Sequence, residues 1–347
     1  MLENLIIPKK LEKGDTVAIV ASSWGGPASC PKKFNYGIKQ LEENFDVKCI
    51  VMPFATASAK DIANSPEKRA ADLMSAFRNP EIKAIISAIG GDDSIRMLPY
   101  IDFDVIRNNP KIYMGYSDST ISHFMCLKAG VSSYYGPSIM AGFAENGGLI
   151  PFMKKSVEKT LFSNHIIGKI EDNQDGYVIK QHNWNDESLL DSTRELKPAQ
   201  ATKIIHGSKN AKGRLIGGCL EVLEFMKGTD LFPKTEEFKN SILFIETSED
   251  NPSACFVKWW FRNYAASGIL ANLAGIIIGR PGNDDSKYVE QQYQAIIEVL
   301  GEENLDIPVL VNANIGHTDP QMVVPYGAMA EIDVKTGTFS ILESGVK

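Results

Sequence analysis

Cysteine is scarce in this chain of 347 residues: Cys30, Cys49, Cys126, Cys219 and Cys255 are odd in number and never in a C-x-x-C spacing. That scatter speaks against a disulfide framework or a structural zinc site and suits reduced thiols. Cys126, on an apolar helical face, and Cys219, beside Gly217-Gly218, read as core fillers. Positive charge is not in excess either. Lys and Arg number 36 against 43 Asp and Glu, a formal charge of -7, which argues against a nucleic-acid backbone or an anionic membrane as the main partner. No apolar run reaches the length of a membrane span. The first ten residues, Met1 to Lys10, lack a basic flank followed by a long apolar stretch, so a cytoplasmic location is expected. There is no internal repeat, no low-complexity tract and no Walker or Rossmann fingerprint. Gly90-Gly91 is followed by Asp92-Asp93-Ser94, with neither a lysine-serine pair nor a third glycine at the required spacing, and a nucleoside triphosphatase is thereby excluded.

What is present is an ordinary globular balance, 44% hydrophobic and 23% charged residues, in a chain longer than the roughly 150 residues of one domain. In the first half, short apolar runs alternate with helical patterns. Thr16 to Ala21, Ala84 to Ile89 and Ile112 to Met114 read as buried strands, and Phe34, Ile38, Leu41 and Phe45 mark a helix between the first two. Such alternation predicts a parallel sheet. Hydrophobic density falls from about Asn164 to Lys212, then helices and strands resume, ending in a hairpin across Lys335-Thr336-Gly337. The expected architecture is two-domain α/β. Residues 1–165 form an N-terminal parallel-sheet domain, 166–212 a polar connecting segment that also meets substrate, and 213–347 a C-terminal α/β domain with a closing β-hairpin.

The most informative stretch is Gly115-Tyr116-Ser117-Asp118-Ser119-Thr120, which puts a serine on a strand-to-helix turn. A hydroxyl there projects from the carboxyl end of a strand, and the free N–H groups of the next helix can face a developing oxyanion. Serine is a weak nucleophile and needs a base with an orienting partner. His317, in the turn-rich Asn314-Ile315-Gly316-His317-Thr318-Asp319-Pro320, is a candidate base, and Glu246, ending the run Ser241 to Glu246, is a candidate partner. Strand ends of a parallel sheet gather at one edge, so these distant positions can converge.

Each feature has a plainer reading. Ser119 stands where the second glycine of G-x-S-x-G would be, and Ser117-Asp118-Ser119 reads equally as an N-cap cluster. His317 reads equally as a structural histidine; metal binding is disfavoured because no ligand partners lie at suitable spacing. Glu246 reads also as a strand-end carboxylate, with Glu249 and Asp250 as the more natural caps for a helix starting near Pro252. Gly90 and Gly91 follow a strand and let the backbone approach a ligand closely. Trp184, alone in the polar stretch Gln181 to Glu187, reads either as a stacking surface or as a loop anchor. Arg280, after a predicted strand, reads either as a substrate-anion contact or as one half of an ion pair.

Taken together, Gly90-Gly91-Asp92-Asp93-Ser94, Gly115-Tyr116-Ser117-Asp118, Gly213 to Gly218, Ile245 to Asp250, Gly279-Arg280-Pro281 and Gly316-His317-Thr318-Asp319-Pro320 resemble, in order, the LD-carboxypeptidase family of serine peptidases, which includes the microcin C self-immunity hydrolases. The resemblance implies a Ser117-Glu246-His317 triad, an oxyanion hole from the backbone N–H groups of Asp118 and Gly91, a homodimer, and no cofactor. Murein members usually carry a tyrosine-glycine pair where Asp92-Asp93 stands. Trp184 looks like the loop tryptophan that stacks on a nucleobase in the immunity-type branch. The expected activity is therefore hydrolysis of the acyl link of an aminoacyl- or peptidyl-nucleotide through an acyl-enzyme. The alternatives are a murein tetrapeptide LD-carboxypeptidase and a protein that binds nucleotide-peptides without cleaving them.

Overall fold

The structure is a computed structural model and describes residues 2–179 and 183–347. Two sheets dominate it. The first contains β1 (Thr16–Val20), β2 (Lys48–Val51), β3 (Ile82–Ser87), β4 (Ile112–Gly115) and β5 (Tyr134–Tyr135), all parallel, in the order β5-β4-β3-β1-β2. The central strands β1, β3 and β4 are buried almost throughout because helices cover both faces. They consequently read in sequence as continuous apolar runs rather than as alternation.

The second sheet is mixed. Its strands are β6 (Gly168–Lys169), β7 (Lys203–His206), β8 (Ala211–Cys219), β9 (Ser241–Glu246), β10 (Leu273–Gly279), β11 (Val309–Ala313), β13 (Met329–Asp333) and β14 (Thr338–Ile341), in the order β6-β14-β13-β8-β9-β10-β11-β7. The strands β8 to β11 run parallel, whereas β13 and β14 form the antiparallel hairpin expected around Gly337. Between β11 and β13 the chain crosses back, and β12 (Val324–Pro325) pairs with β5 at the edge of the first sheet.

Helix Pro31–Phe45 buries Phe34, Leu41 and Phe45, three of the four positions its periodicity picks out, and the fourth, Ile38, is partly buried against the core. Helix Ser119–Lys128 is different, since every residue from Ser119 to Leu127 is buried. A helix covered on all sides has no polar face to display. It is enclosed between the first sheet and the second unit, where Thr120 Oγ1 accepts the N–H of Cys219 at 3.1 Å. The helix that carries the serine turn is thus clamped by both halves of the molecule.

The polar segment is held by its own strands β6 and β7 at the edges of the second sheet, and between them by two backbone pairs. Tyr177 exchanges backbone hydrogen bonds with Lys197, and Val178 does so with Asp319, two residues beyond His317. Gln181 and His182, which precede Trp184 in the stretch singled out above, lie outside the described residues.

Candidate active site

Ser117 has φ +59°, the left-handed region that L side chains avoid at a cost of about 1–3 kcal/mol. Its surroundings hold it there. The Ser117 N–H donates to Tyr135 Oη at 3.0 Å, and its carbonyl accepts from the Thr120 N–H at 2.9 Å and Thr120 Oγ1 at 2.7 Å. Gly90 packs directly against it. A Cβ built on Gly90 would lie 2.9 Å from Ser117 Cβ and 3.1 Å from Oγ, so the close approach of the two loops requires glycine.

The N-cap reading of Ser117-Asp118-Ser119 does not describe this turn. Asp118 makes no side-chain bond to its own helix; its buried carboxylate accepts the N–H of Asp93 at 3.1 Å and of Ser94 at 2.8 Å. It thereby fastens the two-glycine loop to the serine turn. Neither the Gly91 nor the Asp118 N–H has an acceptor among the described residues, and Gly91 and Ser117 line the same cavity.

The convergence read from the strand ends is present. His317 Nε2 lies 3.0 Å from Ser117 Oγ, and His317 Nδ1 lies 2.6 Å from Glu246 Oε2. Glu246 is buried at the carboxyl end of β9, and Tyr135 Oη donates to its other oxygen at 2.5 Å. With Nδ1 donating to the carboxylate, Nε2 of the neutral imidazole is left to accept from the serine. Burial is the largest influence and opposes charge on this ring, but the charge and hydrogen bond of Glu246, with the charges of Glu249 and Glu221, together outweigh it and raise the imidazole to about 9. The Tyr116 ring meets it edge-on, with centroids 4.9 Å apart. His123 behaves oppositely: fully buried, with only neutral partners at Gly115 O and Ser133 Oγ, it is driven down to about 3 and stays neutral.

Two chambers open from Ser117. One, of about 370 Å³, is lined by Trp24, Tyr116, Ile179 and Trp184 together with Gly90, Gly91, Glu249 and His317. The other, of about 320 Å³, is lined by Asp92, Glu221, Glu249 and Asp250, with Cys219 and Phe225 at its walls; Trp24 and Glu249 border both chambers. Trp184 is half-buried in the first chamber, its ring centroid 6.1 Å from that of Trp24 and tilted by 39°. Arg280 is in neither. It is buried behind them, donating to Asn314 Oδ1 at 2.8 Å and Gln200 O at 3.1 Å and stacking on Tyr177, so its partners are neutral oxygens and a ring rather than a carboxylate.

Sequence reasoning missed Tyr135, Trp24 and the placement of Glu249. Tyr135 sits in Ser132-Ser133-Tyr134-Tyr135, where nothing separates it from its core neighbour Tyr134. Glu249 does not cap the helix after Pro252; Ser253 caps helix Ala254–Ala266, and Glu249 Oε2 lies 3.2 Å from His317 Nε2. Among the described residues, no group of three or more His, Cys, Asp and Glu side chains could hold a metal ion, and no helix is long and apolar enough to cross a membrane.

Comparison with known proteins covers most of the chain. Residues 17–136 match the LD-carboxypeptidase N-terminal domain and residues 212–332 the LD-carboxypeptidase C-terminal domain. The microcin C7 self-immunity protein MccF of Escherichia coli is 28% identical over 344 residues, covering 97% of this chain and 96% of that one. A Bacillus subtilis protein named "Probable murein peptide carboxypeptidase" is 30% identical over 348 residues, 98% of this chain and 95% of its own. Among solved structures, MccF in complex with aspartyl sulfamoyl adenosine superimposes with a TM-score of 0.87 at 28% identity, covering 99% of this chain and 100% of that one. An MccF-like protein from Streptococcus pneumoniae in complex with AMP gives 0.85 at 27% identity over 94% of this chain and 98% of its own.

Proposed function

Because the chain belongs to the LD-carboxypeptidase family, we propose that it is a serine hydrolase that cleaves the acyl link of an aminoacyl- or peptidyl-nucleotide. The observation that carries the reading is the hydrogen-bonded series Glu246–His317–Ser117, drawn from both sheets and opening onto a chamber walled by two indoles. In the proposed reaction, His317 Nε2 takes the proton of Ser117 Oγ as the oxygen attacks the carbonyl carbon. Glu246 steadies the imidazolium, and the N–H groups of Gly91 and Asp118 receive the oxyanion, each contributing about 3 kcal/mol in the transition state. The imidazolium then gives its proton to the leaving nitrogen or oxygen. Water, deprotonated by the same ring, releases the acid and restores the serine.

Trp24 and Trp184 support the nucleotide side of the proposal. An aromatic chamber next to the nucleophile suits a planar leaving group, and the similar proteins solved with aspartyl sulfamoyl adenosine and with AMP hold ligands of that kind. The second reading, a murein tetrapeptide LD-carboxypeptidase, is favoured by the likeness to the Bacillus subtilis protein.

One competition experiment separates the readings. The protein is incubated with an aminoacyl-sulfamoyl adenosine and a murein L,D-tetrapeptide together, and products are followed by mass spectrometry. The proposal expects sulfamoyl adenosine to be released, the reaction to cease in Ser117→Ala, and Trp184→Ala to lose at least about tenfold in kcat/KM on the nucleotide. Loss of D-alanine alone would establish the second reading, and binding without turnover by the unaltered protein would make it a sequestering protein.

A further inference from the structure

We propose that Tyr135 is a positioning residue of the reaction, a hydroxyl that sets both the shape of the nucleophile turn and the charge felt by the base. The inference rests on the serine-hydrolase reading above. Tyr135 lies at the end of β5 in the first sheet, while Glu246 ends β9 in the second, and the tyrosine hydroxyl joins them. It donates to Glu246 Oε1 at 2.5 Å and accepts the Ser117 N–H at 3.0 Å. One oxygen atom therefore touches two members of the hydrogen-bonded series without touching His317.

Two consequences follow. The first concerns the serine amide. Because the Ser117 N–H is committed to Tyr135, it is not available to an oxyanion, and that task falls to Gly91 and Asp118. The second concerns the carboxylate. Its oxygens are divided, Oε1 to the tyrosine and Oε2 to His317, so the tyrosine draws negative charge away from the oxygen that faces the imidazole. The hydroxyl can serve only as a donor toward Glu246. Complete burial and the neighbouring carboxylate push its ionisation well above the ordinary tyrosine value, so it keeps its proton.

The charged and titratable groups around these atoms come from several elements. Glu246, Glu249, Glu221 and Tyr116 face His317, and Glu246, Cys219, Tyr326 and His123 face Tyr135. Among the described residues, only Glu246 belongs to both sets. A change confined to the Tyr135 hydroxyl can therefore reach His317 through Glu246.

Tyr135→Phe keeps the ring, which packs against Phe244 with centroids 5.6 Å apart, and removes only the hydroxyl. The expected result is a loss of about tenfold to a hundredfold in kcat with KM changed by less than about threefold. The acid limb of kcat/KM moves to higher pH, since Glu246 then holds the imidazolium more tightly. Incorporation of 3-fluorotyrosine at position 135 strengthens the donor and moves the limb the other way, without a cavity or a lost contact. Labelling of Ser117 by a fluorophosphonate reports on the nucleophile separately. If the unaltered protein is neither labelled nor active, the hydrolase reading fails; if it is labelled and active but Tyr135→Phe leaves kcat and the pH limb in place, the role given to Tyr135 is wrong.

Discussion

Glu249 holds a carboxylate oxygen 3.2 Å from Nε2 of His317, the nitrogen that also lies 3.0 Å from Ser117 Oγ. Two groups thus share one face of the imidazole, and they favour opposite protonation states. The serine needs a neutral ring to take its proton, whereas the carboxylate stabilises the charged ring.

The pH dependence follows from that contest. Burial lowers His317, but Glu246, Glu249 and Glu221 together override it, so the ring sits at about 9 and is protonated at neutral pH. The kcat/KM of the free enzyme is expected to climb with pH through that region. In Glu249→Gln the imidazolium loses a stabilising charge, the acid limb shifts to lower pH, and kcat/KM at pH 7 rises by about twofold to threefold. The Glu249 side chain is 78% exposed, so the shift is expected to shrink between 50 and 500 mM salt. Rate profiles from pH 5.5 to 9.5 at both salt concentrations test this. A limb that stays in place or moves to higher pH would mean that Glu249 does not face the ring in solution.

The chamber walls suggest a preference on the acyl side. Asp92, Glu221, Glu249 and Asp250 line the smaller chamber, and among the described residues no Lys or Arg lines it. Glu221 is anchored, its Oε1 accepting the Ser248 N–H at 2.8 Å and the Ser248 hydroxyl at 2.7 Å. If the acyl residue enters here while the nucleoside meets Trp184 in the larger chamber, a lysyl substrate is expected to exceed an aspartyl one by about tenfold or more in kcat/KM. Glu221→Gln should narrow that ratio. Equal rates for the two substrates, or a preference for the acidic one, would place the acyl group elsewhere.

Much of the fold was legible because its strands are buried on both faces. Continuous apolar runs such as Val17 to Val20 and Ile242 to Ile245 need no tertiary information to be read as strands. Ser117, Glu246 and His317 could be picked out because each ends such a run or follows it closely, and the parallel arrangement then brings strand ends to one edge. Tyr135 could not. Its strand has two residues, and only the contact between β5 and β9's end reveals which tyrosine reaches the carboxylate. The return of β12 to the first sheet was hidden for a similar reason, since a two-residue pairing leaves no periodicity. What the Asp118 carboxylate does was hidden because its partners, Asp93 and Ser94, lie about two dozen residues away.

The loop bearing His317 depends on a buried charge cluster that sequence patterns do not expose. Arg194, from the polar segment, donates through Nε to Glu145 Oε1 at 2.7 Å and through Nη2 to Asp319 Oδ2 at 2.7 Å, and its Nη2 also contacts Glu145 Oε2. All three side chains are about 4–5% exposed. Lys33 bonds to Asn146 alongside, with its own amine lowered to about 8 by burial. Arg194→Met would take the guanidinium away from the buried Glu145 and Asp319 carboxylates, and the expected cost is about 3–5 kcal/mol, measured by urea unfolding. Asp319 is two residues from His317 and pairs with Val178 in the segment that leads to Trp184. The same variant should therefore slow fluorophosphonate labelling of Ser117 under conditions where the protein is still folded. Removing Glu145 as well, as Glu145→Leu with Arg194→Met, should recover part of the stability, because the buried carboxylate that Arg194 holds is gone too. A single variant as stable as the unaltered protein would mean that the cluster is hydrated and does not hold the loop.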